Sequence, residues 1–240
     1  MNIFMWSGPR NLSTALLRSF ENRKDTNVLD EPFYAYYLSE TKLNHPMAKE
    51  IINRYETNVN KIIELVTEKR VKGEIFYQKH MTHHILEYTP IDWVKSGYNC
   101  FLIRDPKEVI HSYLKKNVLN NATDIGFPNQ IKIFKLIKKI NNNPIVINAS
   151  DLSNYPKKVL KILCKKLNIS FSNKMLNWPI GQRDSDGIWQ KIWYKNVQLS
   201  TNFQKFKKEK INIPIKYQDI YSECAEIFEE LNDYNILNEQ

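Results

Sequence analysis

The residues best suited to chemistry lie near the start of the chain, in the run Ser-Gly-Pro-Arg-Asn-Leu-Ser-Thr at positions 7–14. An apolar run ends at Trp6, and an amphipathic helix is expected to begin near Ser13. The first N–H groups of a helix are free donors with partial positive charge, and Arg10 adds a full charge. The pattern predicts a site for an anion with several oxygens, and the alternative is a turn in which Ser13 only caps the helix. The predicted anion contacts are Ser7, Gly8, Arg10, Asn11, Leu12, Ser13 and Thr14.

This loop differs from the phosphate loop of nucleotide kinases. That motif has glycine, four residues, glycine, lysine and then serine or threonine. Counted from Gly8, it would need glycine at Ser13 and lysine at Thr14, and neither is there. Because the lysine that reaches the β- and γ-phosphates is missing, a nucleotide or phosphometabolite kinase is only the alternative function.

A second segment suited to an anion runs from Arg104 to Ser112. Pro106 fits the first position of a helix, which places Arg104 in the turn before it. Ser112 follows about two turns later and can share a face with the helix start. A guanidinium fork and a hydroxyl together suit a phosphate monoester. In the structural alternative, Arg104 pairs with Glu108 or Asp105 instead.

The secondary structure pattern places these residues at one edge of a sheet. Short apolar runs alternate with helical patterns, which predicts a three-layer α/β fold with a mostly parallel central sheet of about five strands. The predicted strands are Asn2–Trp6, Asn27–Asp30, Glu74–Lys79, Asn99–Ile103 and Pro144–Asn148. The predicted helices are Ser13–Glu21, Ala48–Arg70, Pro106–Asn117, Asn129–Ile140, Pro156–Leu167 and Tyr217–Leu231. The aperiodic, aromatic stretch Trp178–Phe203 is expected to form a functional loop. No linker or repeat divides residues 1–240, which predicts one domain.

The predicted strand ends carry most of the reactive side chains. They hold residues 7–14 (the anion loop), Glu31, the pair Lys79 and His80, and Arg104. Because parallel strands end at the same edge, where ligands bind, these groups are expected to converge on one site.

Composition narrows the class of protein and of partner. Hydrophobic residues make up 42% of the chain, yet no apolar stretch approaches the ~20 residues of a membrane span. The N-terminus lacks a secretion signal, and the three cysteines lack C-x-x-C spacing, so a cytoplasmic location is expected. The net charge of +9 indicates an anionic partner. Most lysines fall on predicted solvated helix faces, so nucleic acid is the less favoured partner.

Together these motifs resemble the sulfotransferases that use 3′-phosphoadenosine 5′-phosphosulfate (PAPS). Residues 7–14 resemble the family's 5′-phosphosulfate loop, with Arg10 in place of the usual lysine and Leu12 in place of a glycine. Arg104 and Ser112 match the residues that hold the 3′-phosphate.

The resemblance implies a P-loop-like α/β domain that moves a sulfuryl group from PAPS to a hydroxyl or amine of a small-molecule acceptor. PAPS would be a co-substrate, and no metal would be required. Arg183 is the nearest substitute for the family's C-terminal Arg-Lys-Gly segment, so it is expected to contact PAPS.

The resemblance also offers two candidates for the base that takes the acceptor's proton. Carbohydrate sulfotransferases use a glutamate after the second strand, which Glu31 matches. Cytosolic sulfotransferases use a histidine after the third strand, which His80 matches. Glu31 is preferred because His80 directly follows Lys79 and precedes two further histidines. Lys79 is expected to neutralise charge on the phosphosulfate.

The sequence leaves two other functions open. His80, His83 and His84 would lie on one helical face and could hold zinc, but no further ligand pair accompanies them, so no metal is expected. The alternative from another class is a non-catalytic protein that binds an anionic nucleotide or nucleic acid.

Overall fold

A sheet of five parallel strands forms the centre of the computed structural model, which describes residues 1–68, 73–140, 143–206 and 210–238. The strand order is β2-β3-β1-β4-β5. Every residue of the central strand β1 is buried. The bounds are β1 Asn2–Ser7, β2 Thr26–Asp30, β3 Ile75–Met81, β4 Tyr98–Ile103 and β5 Ile145–Asn148.

Helices cover both faces of this sheet. In the part of the chain that the structure describes they are α1 Ser13–Glu21, α2 Tyr34–Thr41, α3 Ala48–Arg54, α4 Val59–Thr67, α5 Pro106–Leu114, α6 Phe127–Lys139, α7 Ala149–Asn154, α8 Pro156–Lys166, α9 Gln190–Trp193, α10 Lys195–Gln198 and α11 Gln218–Asn232. Phe4 and Phe101 pack in the core beneath α5, α6 and α11, while Met5 and Leu102 pack on the α1 and α8 side. Side chains alternate between the faces of a strand, so both faces are apolar. The predicted three-layer α/β fold is confirmed.

Some predicted helices have different bounds. The expected helix Ala48–Arg70 is two helices, because Tyr55 has an extended backbone and Asn58 caps α4 with its side chain. Asn58 accepts hydrogen bonds from the backbone N–H groups of Asn60 and Lys61, which favours a new helix start over continuation. Arg70 lies outside the described residues.

Strand β3 runs two residues further than predicted, and this changes where His80 points. Lys79 and His80 lie inside the strand, paired with Met5 and Trp6 of β1. Successive side chains of a strand point to opposite faces, so the two cannot serve the same site. His80 is 1% exposed, with its ring 4.8 Å from Trp6 and 5.3 Å from Trp93. The structure therefore places His80 in the aromatic core.

Burial of His80 predicts a loss of stability in acid. Desolvation lowers its pKa from 6.5 to about 3. Between these values the unfolded chain binds a proton that the folded protein does not, so the free energy of unfolding decreases as the pH is lowered. For this group we expect a decrease of about 2 kcal/mol between pH 7 and pH 5. His80→Phe should reduce by that amount the difference in unfolding free energy between pH 7 and pH 5. Urea unfolding at both pH values tests this, and an unchanged difference would contradict it.

Two further findings concern membrane-spanning helices and the cysteines. Among the described residues, none of the helices has both the length and the apolar character needed to cross a bilayer. Cys100, Cys164 and Cys224 are buried as free thiols.

Candidate functional site

A cavity of about 410 Å³ lies at the carboxyl edge of the sheet, where the sequence predicted convergence. From the sequence-predicted set, it is lined by Arg10, Asn11, Leu12, Ser13, Thr14, Glu31, Lys79, Arg104 and Ser112. Its size is that of sites for small ligands. The convergence predicted for the anion loop, Glu31, Lys79 and Arg104 is therefore seen in the structure.

The backbone of the anion loop is strained. Arg10 and Leu12 have φ angles of 68° and 66°, in the left-handed region that side chains other than glycine rarely adopt. Leu12 directly precedes α1 and provides no side-chain cap for it. A left-handed residue followed by a right-handed one turns successive N–H groups toward a common point, which suits an anion. Such strain costs on the order of 1–3 kcal/mol per residue and clusters at functional sites.

Ser7 and Gly8 support this loop from behind. Ser7 is fully buried, and its hydroxyl lies 3.8 Å from the sulfur of Met81. A Cβ at Gly8 would overlap the carbonyl oxygen of Ile125. Glycine is therefore required for close packing of the loop, and neither residue lines the cavity.

Two arginines stand side by side at one end of the cavity. Nε of Arg10 donates to Oγ of Ser112 at 2.9 Å, and Nη1 of Arg104 donates to the carbonyl oxygen of Arg10 at 2.7 Å. Nε of Arg104 also donates to Glu108 at 2.8 Å, so the pairing foreseen as a structural alternative is present too. Phe206 stacks on the Arg104 guanidinium, 3.9 Å away.

The positive charge at this end is incompletely balanced. Burial, and then the charge of Arg104, lower the pKa of Arg10. Among the described residues, no carboxylate lies within 4.0 Å of Arg10. We refer to Arg10, Arg104, Ser112 and the amides of residues 10–14 as the basic end.

A buried ion cluster forms the opposite end of the cavity. Nζ of Lys79 donates to Glu31 at 2.6 Å, to Asp30 at 3.0 Å and to the hydroxyl of Tyr194 at 2.6 Å. Burial alone would lower the pKa of Lys79, but the two carboxylates outweigh it and raise it. Lys79 is therefore charged and already paired.

Two carboxylates share this one cation, and they are not equivalent. Asp30 also accepts hydrogen bonds from Tyr194 at 2.6 Å and from Nε1 of Trp189 at 3.2 Å. Glu31 opens on the cavity with its side chain 11% exposed. Burial raises the pKa of Glu31, and Asp30 adds to the rise while Lys79 opposes it. Of the two carboxylates, Glu31 is therefore the one that lines the cavity.

Tyr194 and Trp189 were not identified as site residues from the sequence. They lie in the aperiodic stretch 178–203, where several short helices replace any single period. A Cβ at Gly187 would overlap the indole of Trp189, so this glycine lets the indole lie close to the backbone. The high aromatic content of this stretch was the one sequence feature that could have indicated these two site residues.

Removing the Tyr194 hydroxyl should destabilise the fold. Tyr194→Phe leaves Lys79 and Asp30 each without one buried hydrogen bond, for which we expect a loss of about 1.5–3 kcal/mol in unfolding free energy. The matched control is Tyr88→Phe. The hydroxyl of Tyr88 donates to Glu40 on the surface, so its removal should change the unfolding free energy by less than about 0.5 kcal/mol. Equal effects of the two substitutions in urea unfolding would refute the role of Tyr194.

Three histidines line the wall next to Glu31. His83 and His84 lie in a 3-10 helix, Thr82–His84, directly after β3, and His45 precedes α3. Burial lowers the pKa of His83 to about 4 and that of His84 well below its usual range. His80 points into the core, so the zinc triad considered above does not assemble. No metal-binding group of three His, Cys, Asp or Glu side chains is found among the described residues.

Arg183 does not reach the cavity. Its Nε lies 3.6 Å from Glu21 at the end of α1, and its backbone N–H donates to Asp186. Asp186 pairs in turn with Arg18 of α1 at 2.6 Å, with both side chains buried. The expected contact of Arg183 with PAPS is not supported by this position, because the residue instead helps hold the stretch 178–203 on α1.

Comparison with known proteins identifies the family. Residues 1–222 match the family model described as a sulfotransferase domain. The chain belongs to this family. The resemblance noted from the anion loops and the P-loop-like fold class is therefore confirmed.

One relative in sequence and two solved structures are also similar to this chain. The chain is 32% identical over 235 residues to branched-chain-amino-acid aminotransferase-like protein 1 of Arabidopsis thaliana, and the match covers 98% of this chain but 41% of that protein. The sulfotransferase domain of the Synechococcus PCC 7002 olefin synthase has a TM-score of 0.67 at 18% identity, covering 95% and 94% of the two chains. A sulfotransferase from Alicyclobacillus acidocaldarius has a TM-score of 0.57 at 9% identity, covering 96% and 94%. At these identities the two structures show a shared fold.

Proposed function

We propose that this sulfotransferase domain transfers a sulfuryl group from PAPS to a small-molecule acceptor bound at Glu31. The observation that carries the proposal is the division of one cavity into two ends. One is the basic end, and the other is the carboxylate end, formed by Glu31 and the ion cluster around Lys79. An anionic donor suits the first end, and an acceptor that must lose a proton suits the second.

The residues of the basic end fit PAPS. PAPS carries two anionic groups, the 5′-phosphosulfate and the 3′-phosphate. The amides of residues 10–14 and Arg10 would hold the first, and Arg104 with Ser112 would hold the second. The hydrogen bond between Arg10 and Ser112 places the two sets side by side, as one nucleotide requires. The strained loop and the uncompensated Arg10 support the same assignment.

Catalysis in this proposal needs positioning and charge stabilisation more than covalent chemistry. PAPS, when bound, supplies the activated sulfuryl group. Glu31 would accept the acceptor's proton, and Arg10 with the loop amides would stabilise negative charge on the departing phosphate. Lys79 lies between Glu31 and Asp30, where it holds the carboxylates in place and adds positive charge near the reacting groups.

The test is chemical conversion of PAPS. The protein is incubated with PAPS and, in parallel, with ATP, and nucleotide products are followed by liquid chromatography. We expect adenosine 3′,5′-bisphosphate to accumulate from PAPS while ATP is unchanged. Consumption of ATP with no loss of PAPS would point to a kinase and contradict the proposal.

A further inference from the structure

The imidazole of His84 is held rigidly at the carboxylate end of the cavity. It stacks against Tyr34, with ring centroids 4.6 Å apart, and against Tyr37, at 4.9 Å. The hydroxyl of Tyr34 is itself hydrogen-bonded to His45. The His84 ring therefore has a fixed plane and a fixed direction, which a group that positions a substrate requires.

One nitrogen of this ring has no hydrogen-bond partner. The side chain of His84 is 3% exposed, and within the described residues Nδ1 is buried without a partner. It lies 4.0 Å from Oε2 of Glu31, which is too long for a hydrogen bond. A buried polar atom without a partner costs about 1–3 kcal/mol, so its retention beside a cavity needs a reason.

The 4.0 Å separation of these two atoms suits a bridging hydroxyl group. An oxygen can lie about 2.8 Å from both Nδ1 of His84 and Oε2 of Glu31. Burial above all, with the charge of Lys79 among the further causes, holds the pKa of His84 well below its usual range, so the ring is neutral at neutral pH. The nearby carboxylate favours the tautomer that carries the proton on Nδ1. A hydroxyl can then accept from His84 and donate to Glu31 at the same time.

We propose that His84 and Glu31 together bind the hydroxyl of the acceptor, and that the acceptor is therefore an alcohol and not an aliphatic amine. This inference rests on the proposed function. An aliphatic amine is protonated at neutral pH and has no lone pair with which to accept from His84. A carboxylate or phosphate has no proton for Glu31 and is repelled by it.

The transfer step balances with these two residues. The alcohol oxygen forms a bond to sulfur while the bond from sulfur to the bridging oxygen of the phosphosulfate breaks. The electron pair leaves with adenosine 3′,5′-bisphosphate, and the alcohol proton passes to Glu31. His84 keeps its proton and holds the attacking oxygen, so it acts as an acceptor-binding residue.

The experiment compares alcohols with amines of the same skeleton. Release of adenosine 3′,5′-bisphosphate from PAPS is measured with benzyl alcohol against benzylamine and with butanol against butylamine, above the rate without acceptor. We expect the alcohols to be favoured by at least about a hundredfold, because a site that hydrogen-bonds a hydroxyl discriminates strongly against groups that cannot pair with it. Equal or faster reaction of the amines, or no reaction of either alcohol, would overturn the proposal.

Variants of His84 test the residue itself. His84→Ala should lower the alcohol-dependent rate about tenfold, and His84→Asn, whose amide can occupy the place of Nδ1, should recover most of it. The control is His111→Ala, a histidine of α5 outside the cavity, which should leave the rate unchanged. Calorimetric binding of adenosine 3′,5′-bisphosphate is measured on every variant. If the native protein does not bind adenosine 3′,5′-bisphosphate, the proposed function is contradicted. If His84→Ala binds it normally and keeps the native alcohol-dependent rate, this inference alone is contradicted.

Discussion

Glu31→Gln is expected to lower the rate of sulfuryl transfer by about 10²–10⁴-fold while binding of adenosine 3′,5′-bisphosphate persists. That range is the usual contribution of a positioned base. Glutamine keeps the size of the side chain but cannot accept a proton, and Lys79 retains its contact with Asp30. The rate is measured by product release from PAPS, with water as the acceptor if no faster one is found.

The pH dependence of the rate provides a second readout of the same residue. A base must be deprotonated, so the native rate should fall as pH falls through the pKa of Glu31, which burial raises above 4.5. This acid limb should be absent from Glu31→Gln. The contrasting variant is His80→Phe, which changes a core residue and should alter the rate only a few-fold. If His80→Phe abolishes transfer and Glu31→Gln does not, the base is misassigned.

Arg104→Ala should remove the preference for a 3′-phosphate. A charge-assisted hydrogen bond of this kind contributes about 1.5–3 kcal/mol, or roughly 10- to 150-fold in affinity. Because Arg104 also holds the carbonyl of Arg10, some affinity for AMP should be lost as well, but less. Arg10→Ala should weaken AMP and the bisphosphate alike, since both carry the 5′-phosphate.

Lys107→Ala is the charge-matched control for these arginine variants. Lys107 is exposed on α5 and does not line the cavity, so its loss removes one positive charge without touching the site. We expect its affinity for the bisphosphate to stay within about twofold of the native value at physiological salt. A loss as large as that in Arg104→Ala would mean that net charge, and not a defined site, binds the nucleotide.

The sequence predicted the parts of the site that depend on local pattern. The anion loop, Glu31 and Arg104 directly follow strands that the sequence pattern predicts, and parallel strands bring their ends to one edge. The helix start at Ser13 was also predicted, because the apolar positions of α1 recur at helical spacing. The strained φ of Leu12 could not be predicted, since a non-glycine residue adopts it only when the surrounding packing imposes it.

The remaining parts depend on contacts between distant segments. Tyr194 reaches Asp30 across 164 positions in the sequence, and no local pattern encodes such a pair. The orientation of His80 depended on whether β3 ends at Lys79 or continues to Met81, and strand bounds are poorly determined by composition. Arg183 was placed by analogy, whereas its ion pairing with Glu21 comes from how the stretch 178–203 docks on α1.

The most direct test of the account is calorimetric titration of the native protein with adenosine 3′,5′-bisphosphate and with AMP. The two ligands differ only in the 3′-phosphate, which the proposal assigns to Arg104 and Ser112. We predict that the bisphosphate binds at least about tenfold more tightly, which corresponds to about 1.4 kcal/mol. Equal affinities for the two ligands would contradict the assignment of PAPS as the donor.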